Sequence, residues 1–198
     1  MNTELRNQAE SVIEIVSKIA MVKSCEIYGS ISKGLEDDLS DIDIEVDVSG
    51  YDNGKFMLEL PTLLKDDLNI IFYDFAPSLI PEQYIVSLAV NNENPFAMVD
   101  LKCVAEPHIA SVSKADAVND TLTHTLKVWV TNVKHYARGV ECYDDIARMA
   151  RRLHIEDIET KEEVELLEEV LIWVENNMTD DIEEYVCSCR NKFEELFY

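Results

Sequence analysis

The spacing of apolar residues divides the chain into a mixed first part and a helical second part. Over residues 3–22, Leu5, Ala9, Val12, Ile13, Val16, Ile19 and Ala20 return at steps of three and four. That places them on one face of an amphipathic helix, with Thr3 as a candidate N-cap. A short apolar run over residues 25–28 ends at Gly29. Across residues 41–48 the period falls to two: Ile42, Ile44, Val46 and Val48 alternate with Asp41, Asp43, Glu45 and Asp47, the pattern of a strand with one buried face. Residues 49–54 are rich in turn formers. Residues 55–66 predict a helix interrupted at Pro61, and residues 68–75 predict a strand. Residues 84–90 and 96–104 predict two strands of a hairpin joined through residues 91–95. From about residue 116 the spacing is helical, and Gly139 is the only glycine; helices are predicted over 116–138, 141–153, 160–177 and 180–197. The fold class is therefore α+β: a mixed sheet of about five short strands flanked by helices, then a helical bundle. The expected domains are 1–110 and 111–198.

Composition sharpens this picture. The 198 residues are 47% hydrophobic and 29% charged, an ordinary globular balance. Charge is not balanced: 17 Lys and Arg face 40 Asp and Glu, for a net −23. Nucleic acid as a partner is not expected, because phosphate binding needs a basic footprint, and neither is docking on an anionic membrane. Cationic small molecules, metal ions and other proteins remain as natural partners. The helical part is itself acidic, with eighteen Asp and Glu against six Lys and Arg from Glu141 onward. No apolar run approaches the ~20 residues that cross a bilayer, and the first residues carry acids rather than a basic leader, so neither a membrane span nor a signal peptide is expected. Five cysteines, odd in number and irregular in spacing, fit free thiols in a reducing cytoplasm, and Cys187 and Cys189 are too isolated to define a metal site.

Candidate chemistry is concentrated in one stretch. Gly29 and Ser30 follow an apolar run where a turn into a helix is expected; a glycine there lets backbone N–H groups approach a phosphate, and Ser30 adds a hydroxyl. Asp41 and Asp43, two apart on a strand, share a face. Two carboxylates that close repel one another unless a cation lies between them, and hard carboxylate oxygens on a rigid strand suit Mg²⁺. Asp100, in mid-strand, is the third acid, able to share a metal and to take a proton from an attacking hydroxyl. Asp74 is its rival, set aside because Phe75, Ala76 and Pro77 read as a strand leaving its sheet. Lys102 shares the face of Asp100 and is a candidate phosphate contact. Lys33 is another, weighed against an ordinary surface lysine. His108, His124 and His135 read as loop, packing or surface residues, and Trp129 and Trp173 as helix-face residues of the core.

Gly29-Ser30, a polar spacer, Asp41-x-Asp43 and a later strand aspartate resemble the nucleotidyltransferase superfamily of DNA polymerase beta, most closely over residues 28–48. The layout is most similar to the small-molecule branch typified by aminoglycoside nucleotidyltransferases. That resemblance implies a nucleotidyltransferase-type mixed sheet, Mg²⁺, ATP or another NTP as donor, and transfer of a nucleoside monophosphate to a hydroxyl. It assigns Gly29 and Ser30 to the phosphates, Asp41 and Asp43 to the metal, and Asp100 to the metal and to base work. The acidic charge points to a cationic acceptor such as an antibiotic, which would make the protein a cytoplasmic resistance enzyme. Two alternatives stay open: attachment of AMP to a partner protein, as in toxin–antitoxin systems, and an inactive nucleotide-binding module.

Overall fold

The structure, a computed structural model, describes residues 3–76 and 84–198. Two compact units emerge. The first takes the chain through Asn91 together with Ala97–Asn119, and the second takes Asn92–Phe96 together with Asp120–Tyr198.

The first unit is built on a five-stranded sheet in the order β1-β2-β5-β4-β3, with β1 Ser24–Ile27, β2 Ile42–Asp47, β3 Phe72–Phe75, β4 Tyr84–Ala89 and β5 Val99–Val104. Only β2 and β5 run parallel; the other pairings are antiparallel, so the sheet is mixed, as expected. The alternation of β2 is realised literally: Ile42, Ile44 and Val46 are fully buried, while Asp43, Glu45 and Asp47 are half-buried on the opposite face. Val99, Leu101 and Cys103 of β5 extend the apolar face, which packs with α1 Thr3–Val16 and α3 Asn53–Leu64. The one-turn helix α2 Gly29–Lys33 links β1 toward β2.

The strand expected over 96–104 begins at Val99 and the helix expected over 116–138 begins at Thr121; three further departures from the sequence pattern have a local reason. The first helix stops at Val16, because Lys18 and Ile19 donate to Ile15 and Val16 and tighten the last turn toward 3₁₀ geometry. Ile19, Met21 and Val22 still pack against the core, so the apolar spacing persists where the helix does not. Pro61 does not interrupt α3. It lies inside the helix with Met57, Leu60 and Leu64 buried about it, and this packing offsets the backbone bond that a proline cannot donate. The strand expected from residue 68 begins at Phe72, because Asp67 and Leu68 both donate to the Leu64 carbonyl and extend the turn after α3. Pro77, which entered the reasoning about Asp74, lies outside the described residues. At the outer strand, the Asn119 side chain occupies both backbone groups of Phe75, accepting from its N–H at 2.7 Å and donating to its carbonyl at 2.8 Å.

The second unit contains four helices, α4 Thr121–Ala137, α5 Tyr143–Arg152, α6 Glu163–Asn177 and α7 Glu183–Phe197. Trp129 is fully buried and donates its indole N–H to the Leu167 carbonyl at 2.8 Å, so it belongs to the core. The acids of α6 are partly neutralised: Arg190 makes a two-pronged bond to Glu175, and Lys161 pairs with Glu169. The loop between β4 and β5 belongs to this unit. Tyr185 donates to the Pro95 carbonyl at 2.7 Å, and Asn92 donates to Glu184 at 2.7 Å. No helix among the described residues is long and apolar enough to cross a membrane. All five cysteines are free thiols.

Because α3 is held by packing despite Pro61, trimming its buried face should be costly. Leu60→Ala is expected to destabilise the first unit by about 2–5 kcal/mol, read from chemical denaturation. A loss below about 1 kcal/mol would show that packing on this face does not hold the helix.

Candidate active site

The site is assembled where β1 turns into α2. Gly29 has φ +69°, a region that side-chain-bearing residues rarely adopt. A second reason for glycine is more specific. A Cβ on residue 29 would overlap the Asp43 carboxylate, lying 2.8 Å from its Cγ, so the Asp43 head group rests where only a bare backbone fits. The Ser30 hydroxyl is buried and has no hydrogen-bond partner among the described residues. Gly34, at φ +66°, ends α2. The spacer then closes on itself: Asp37 Oδ1 accepts from the Leu39 N–H and the Ser40 hydroxyl, and the Asp37 N–H donates to Ser40. This turn delivers Asp41 to the start of β2.

Asp41, Asp43 and Asp100 converge. Each is half-buried, and one oxygen from each lies within 4.8 Å of the others. Asp43 and Asp100 are direct partners in the parallel β2–β5 register, so neither can leave the other without breaking the sheet. Like charges at this separation are unfavourable, and a divalent cation is the simplest counter-charge. Oxygen donors only, on rigid elements and facing one another, fit Mg²⁺. The same field is felt by Tyr28. Burial, followed by the charges of Asp43, Asp100, Asp41 and Glu45, holds its phenol well above the usual tyrosine range.

The register also locates the remaining candidates. Asp100 faces Ser87 on β4, and Ser87 faces Asp74 on β3, so Asp43, Asp100, Ser87 and Asp74 form one row across a single face. Asp74 therefore shares the face but lies two strands from Asp100, about 10 Å at ordinary strand spacing. Ser87 is fully buried, and its hydroxyl has no partner among the described residues. Lys102, opposite Glu45, binds the Glu45 carboxylate at 2.6 Å and lies over the Tyr28 ring at 5.1 Å. Its ammonium is thus already neutralised beside the triad. Lys33 is exposed at the last position of α2. Sequence reasoning gave no role to Tyr28 or Ser87 and did not foresee the Lys102–Glu45 pair. One signal for the pair was present: once Asp43 is set opposite Asp100, the period of two sets Glu45 opposite Lys102.

Farther along β1 and β2 from this row, starting at the Glu26–Glu45 pair, is a cleft of about 390 Å³ whose lining includes Glu26, Glu45, Asp47 and Glu106. Asp47 is held there by the Ser49 N–H and hydroxyl, and Ser49 in turn accepts from the Glu106 N–H.

No protein-family model matches the chain, and no curated protein matches it. Among solved structures, one similar chain comes from the "structure of GLD-2/RNP-8 complex", at 14% identity and a TM-score of 0.39. A second comes from "Structure and function of the polymerase core of TRAMP, a RNA surveillance complex", at 13% identity and a TM-score of 0.42. Each alignment covers 98% of this chain, which spans 67% and 58% of those chains respectively. The architecture itself, a mixed five-stranded sheet with flanking helices followed by a helical region, is the one that the sequence motif implied.

Two outcomes follow from this geometry. Gly29→Ala should displace the Asp43 carboxylate and weaken Mn²⁺ binding at least tenfold by calorimetry, while the circular dichroism spectrum is unchanged. Retained affinity would mean that the Gly29–Asp43 contact does not shape the site. Because folding raises the Tyr28 phenol, the unfolded chain loses that proton first, and stability falls as pH rises past about 10. Between pH 9 and pH 11, Tyr28→Phe should therefore lose less unfolding free energy than wild type. An equal loss would show that folding does not raise this phenol.

Proposed function

We propose that the protein is a metal-dependent nucleotidyltransferase that moves a nucleoside monophosphate, AMP from ATP as the default, to a hydroxyl of a small cationic acceptor. The observation that carries this reading is the triad: Asp43 and Asp100 paired on adjoining parallel strands and Asp41 just ahead of the first of them, with Asp43 packed against Gly29. Asp41, Asp43 and Asp100 would hold Mg²⁺, which when bound neutralises charge on the phosphates and favours in-line displacement.

The residues of the chain supply the rest. The acceptor hydroxyl oxygen bonds to the α-phosphorus, the bond from that phosphorus to the α–β bridging oxygen breaks, and pyrophosphate leaves with the electron pair. Asp100 takes the hydroxyl proton, a role suited to a carboxylate fixed within the site. The Gly29 backbone and the unpartnered Ser30 hydroxyl receive phosphate oxygens. Lys102 reaches a phosphate only by leaving Glu45, so its contribution is coupled to that pair. Lys33, at the exposed end of α2, is the second candidate for the phosphates. For the acceptor, the cleft lined by Glu26, Glu45, Asp47 and Glu106 supports a cationic molecule. The cytoplasm and a part in antibiotic resistance belong to the same reading.

The direct test is transfer of label from [α-³²P]ATP with Mg²⁺ to a mixed panel of neutral, acidic and polyamine-like hydroxyl compounds. Label on a cationic small molecule is expected. Label on protein would redirect the reading to protein modification, and ATP binding without transfer would redirect it to a nucleotide sensor. Asp41→Asn and Asp43→Asn should each lower turnover by roughly 10²–10³-fold, the scale of losing a key electrostatic group. Asp100→Asn should lower kcat far more than it raises KM for ATP. Near wild-type turnover in any of the three would remove the assignment.

A further inference from the structure

A half-buried ion pair outside the motif, Arg6 with a fully buried Glu36 side chain, joins its two halves. The Arg6 side chain on α1 reaches α2, where Nη2 donates to the Ile31 carbonyl at 3.0 Å. That carbonyl also accepts from the Gly34 N–H at 3.2 Å, so Arg6 completes the C-terminal end of the turn that carries Gly29 and Ser30. The same Nη2 lies 3.8 Å from Glu36 Oε1, in the spacer leading to Asp41. The Glu36 side chain is 0% exposed. Neither of its oxygens accepts a hydrogen bond among the described residues, and the Arg6 Nε is likewise buried without an acceptor.

Such a pair is a poor way to gain stability. The Glu36 carboxylate is fully desolvated while Arg6 stays 36% exposed, and at 3.8 Å the contact returns little of the cost of burying that carboxylate, so apolar replacements of similar volume commonly serve as well or better. Its value must lie in what it fixes. A helix of five residues has no stability of its own, since nucleation is unfavourable and few bonds follow it. The spacer is closed by the small Asp37–Ser40 turn. Ile31 packs α2 into the core, and Arg6 adds a polar tie from both segments to α1, whose buried face is anchored through Leu5, Ala9 and Val12.

We propose that Arg6, held by Glu36, is a positioning residue that keeps residues 29–41 in the arrangement where Gly29 backs Asp43 and Asp41 joins the triad. Its catalytic consequence rests on the function proposed above; its structural consequence does not.

The test compares wild type, Arg6→Met, Arg6→Lys and the Arg6→Met/Glu36→Met double variant by thermal unfolding, hydrogen exchange of residues 29–41 and Mn²⁺ calorimetry. Arg6→Met is expected to speed exchange over residues 29–41 at least tenfold and to weaken Mn²⁺ binding at least tenfold, with β4 and β5 unchanged. Arg6→Lys, which keeps the charge but not the fork of donors, should recover protection only in part. The double variant should unfold at or above the wild-type midpoint yet keep the fast exchange and weak Mn²⁺ binding, which separates positioning from stability. If Arg6→Met fails to fold, the double variant carries the test. Wild-type exchange and Mn²⁺ affinity in either the single or the double methionine variant would overturn the proposal. Absence of Mn²⁺ binding by wild type would sink the functional reading instead, and the exchange data would still judge Arg6.

Discussion

Three carboxylates within 4.8 Å of one another repel, and much of the first unit is organised to hold them there. The parallel pairing of β2 with β5 sets Asp43 directly against Asp100, and separating them would break the ladder on both sides. Gly29 gives the Asp43 head group a place against bare backbone. The self-closed Asp37–Ser40 turn aims Asp41 at the other two. Below this face, the apolar side chains of β2 and β5 pack with α1 and α3, so the energy that concentrates the negative charge comes from hydrophobic burial on the opposite side of the same strands.

Negative charge is spread widely over this chain, but it is not all available to a ligand. In the second unit, Glu175 is held by Arg190 and Glu169 by Lys161, so part of the acidic α6 tract is neutralised within its own unit. In the first unit, Lys102 offsets only Glu45, while Glu26, Asp47 and Glu106 line the same cleft. The uncompensated acids of the first unit thus gather along β1, β2 and the end of β5.

The loop from residue 92 to residue 96 packs with the helical unit. It is the connection between β4 and β5, yet Tyr185 and Glu184 of α7 bind it at Pro95 and Asn92. The strand carrying Asp100 therefore begins three residues after a segment anchored by helices, and Ser87, opposite Asp100, lies on the strand that precedes it.

What the sequence determined by itself is what depends on neighbours within a few residues. The alternation over residues 41–48 fixed which face of β2 is apolar, and the helical periods after residue 116 marked four helices to within a few residues of their ends. Gly29, Ser30 and the Asp41-x-Asp43 spacing drew attention to the site because each acts through its own backbone or its own strand. Local rules misjudged Pro61 and the end of α1, where burial or tightened end bonds outweighed propensity. Only the tertiary structure set Asp100 beside Asp43 with Asp74 two strands away, paired Lys102 with Glu45, and brought Arg6 to Ile31 and Glu36. Each of these joins residues far apart in the chain. Strand order and register arise from packing the whole sheet against its helices, so no short window of sequence contains them.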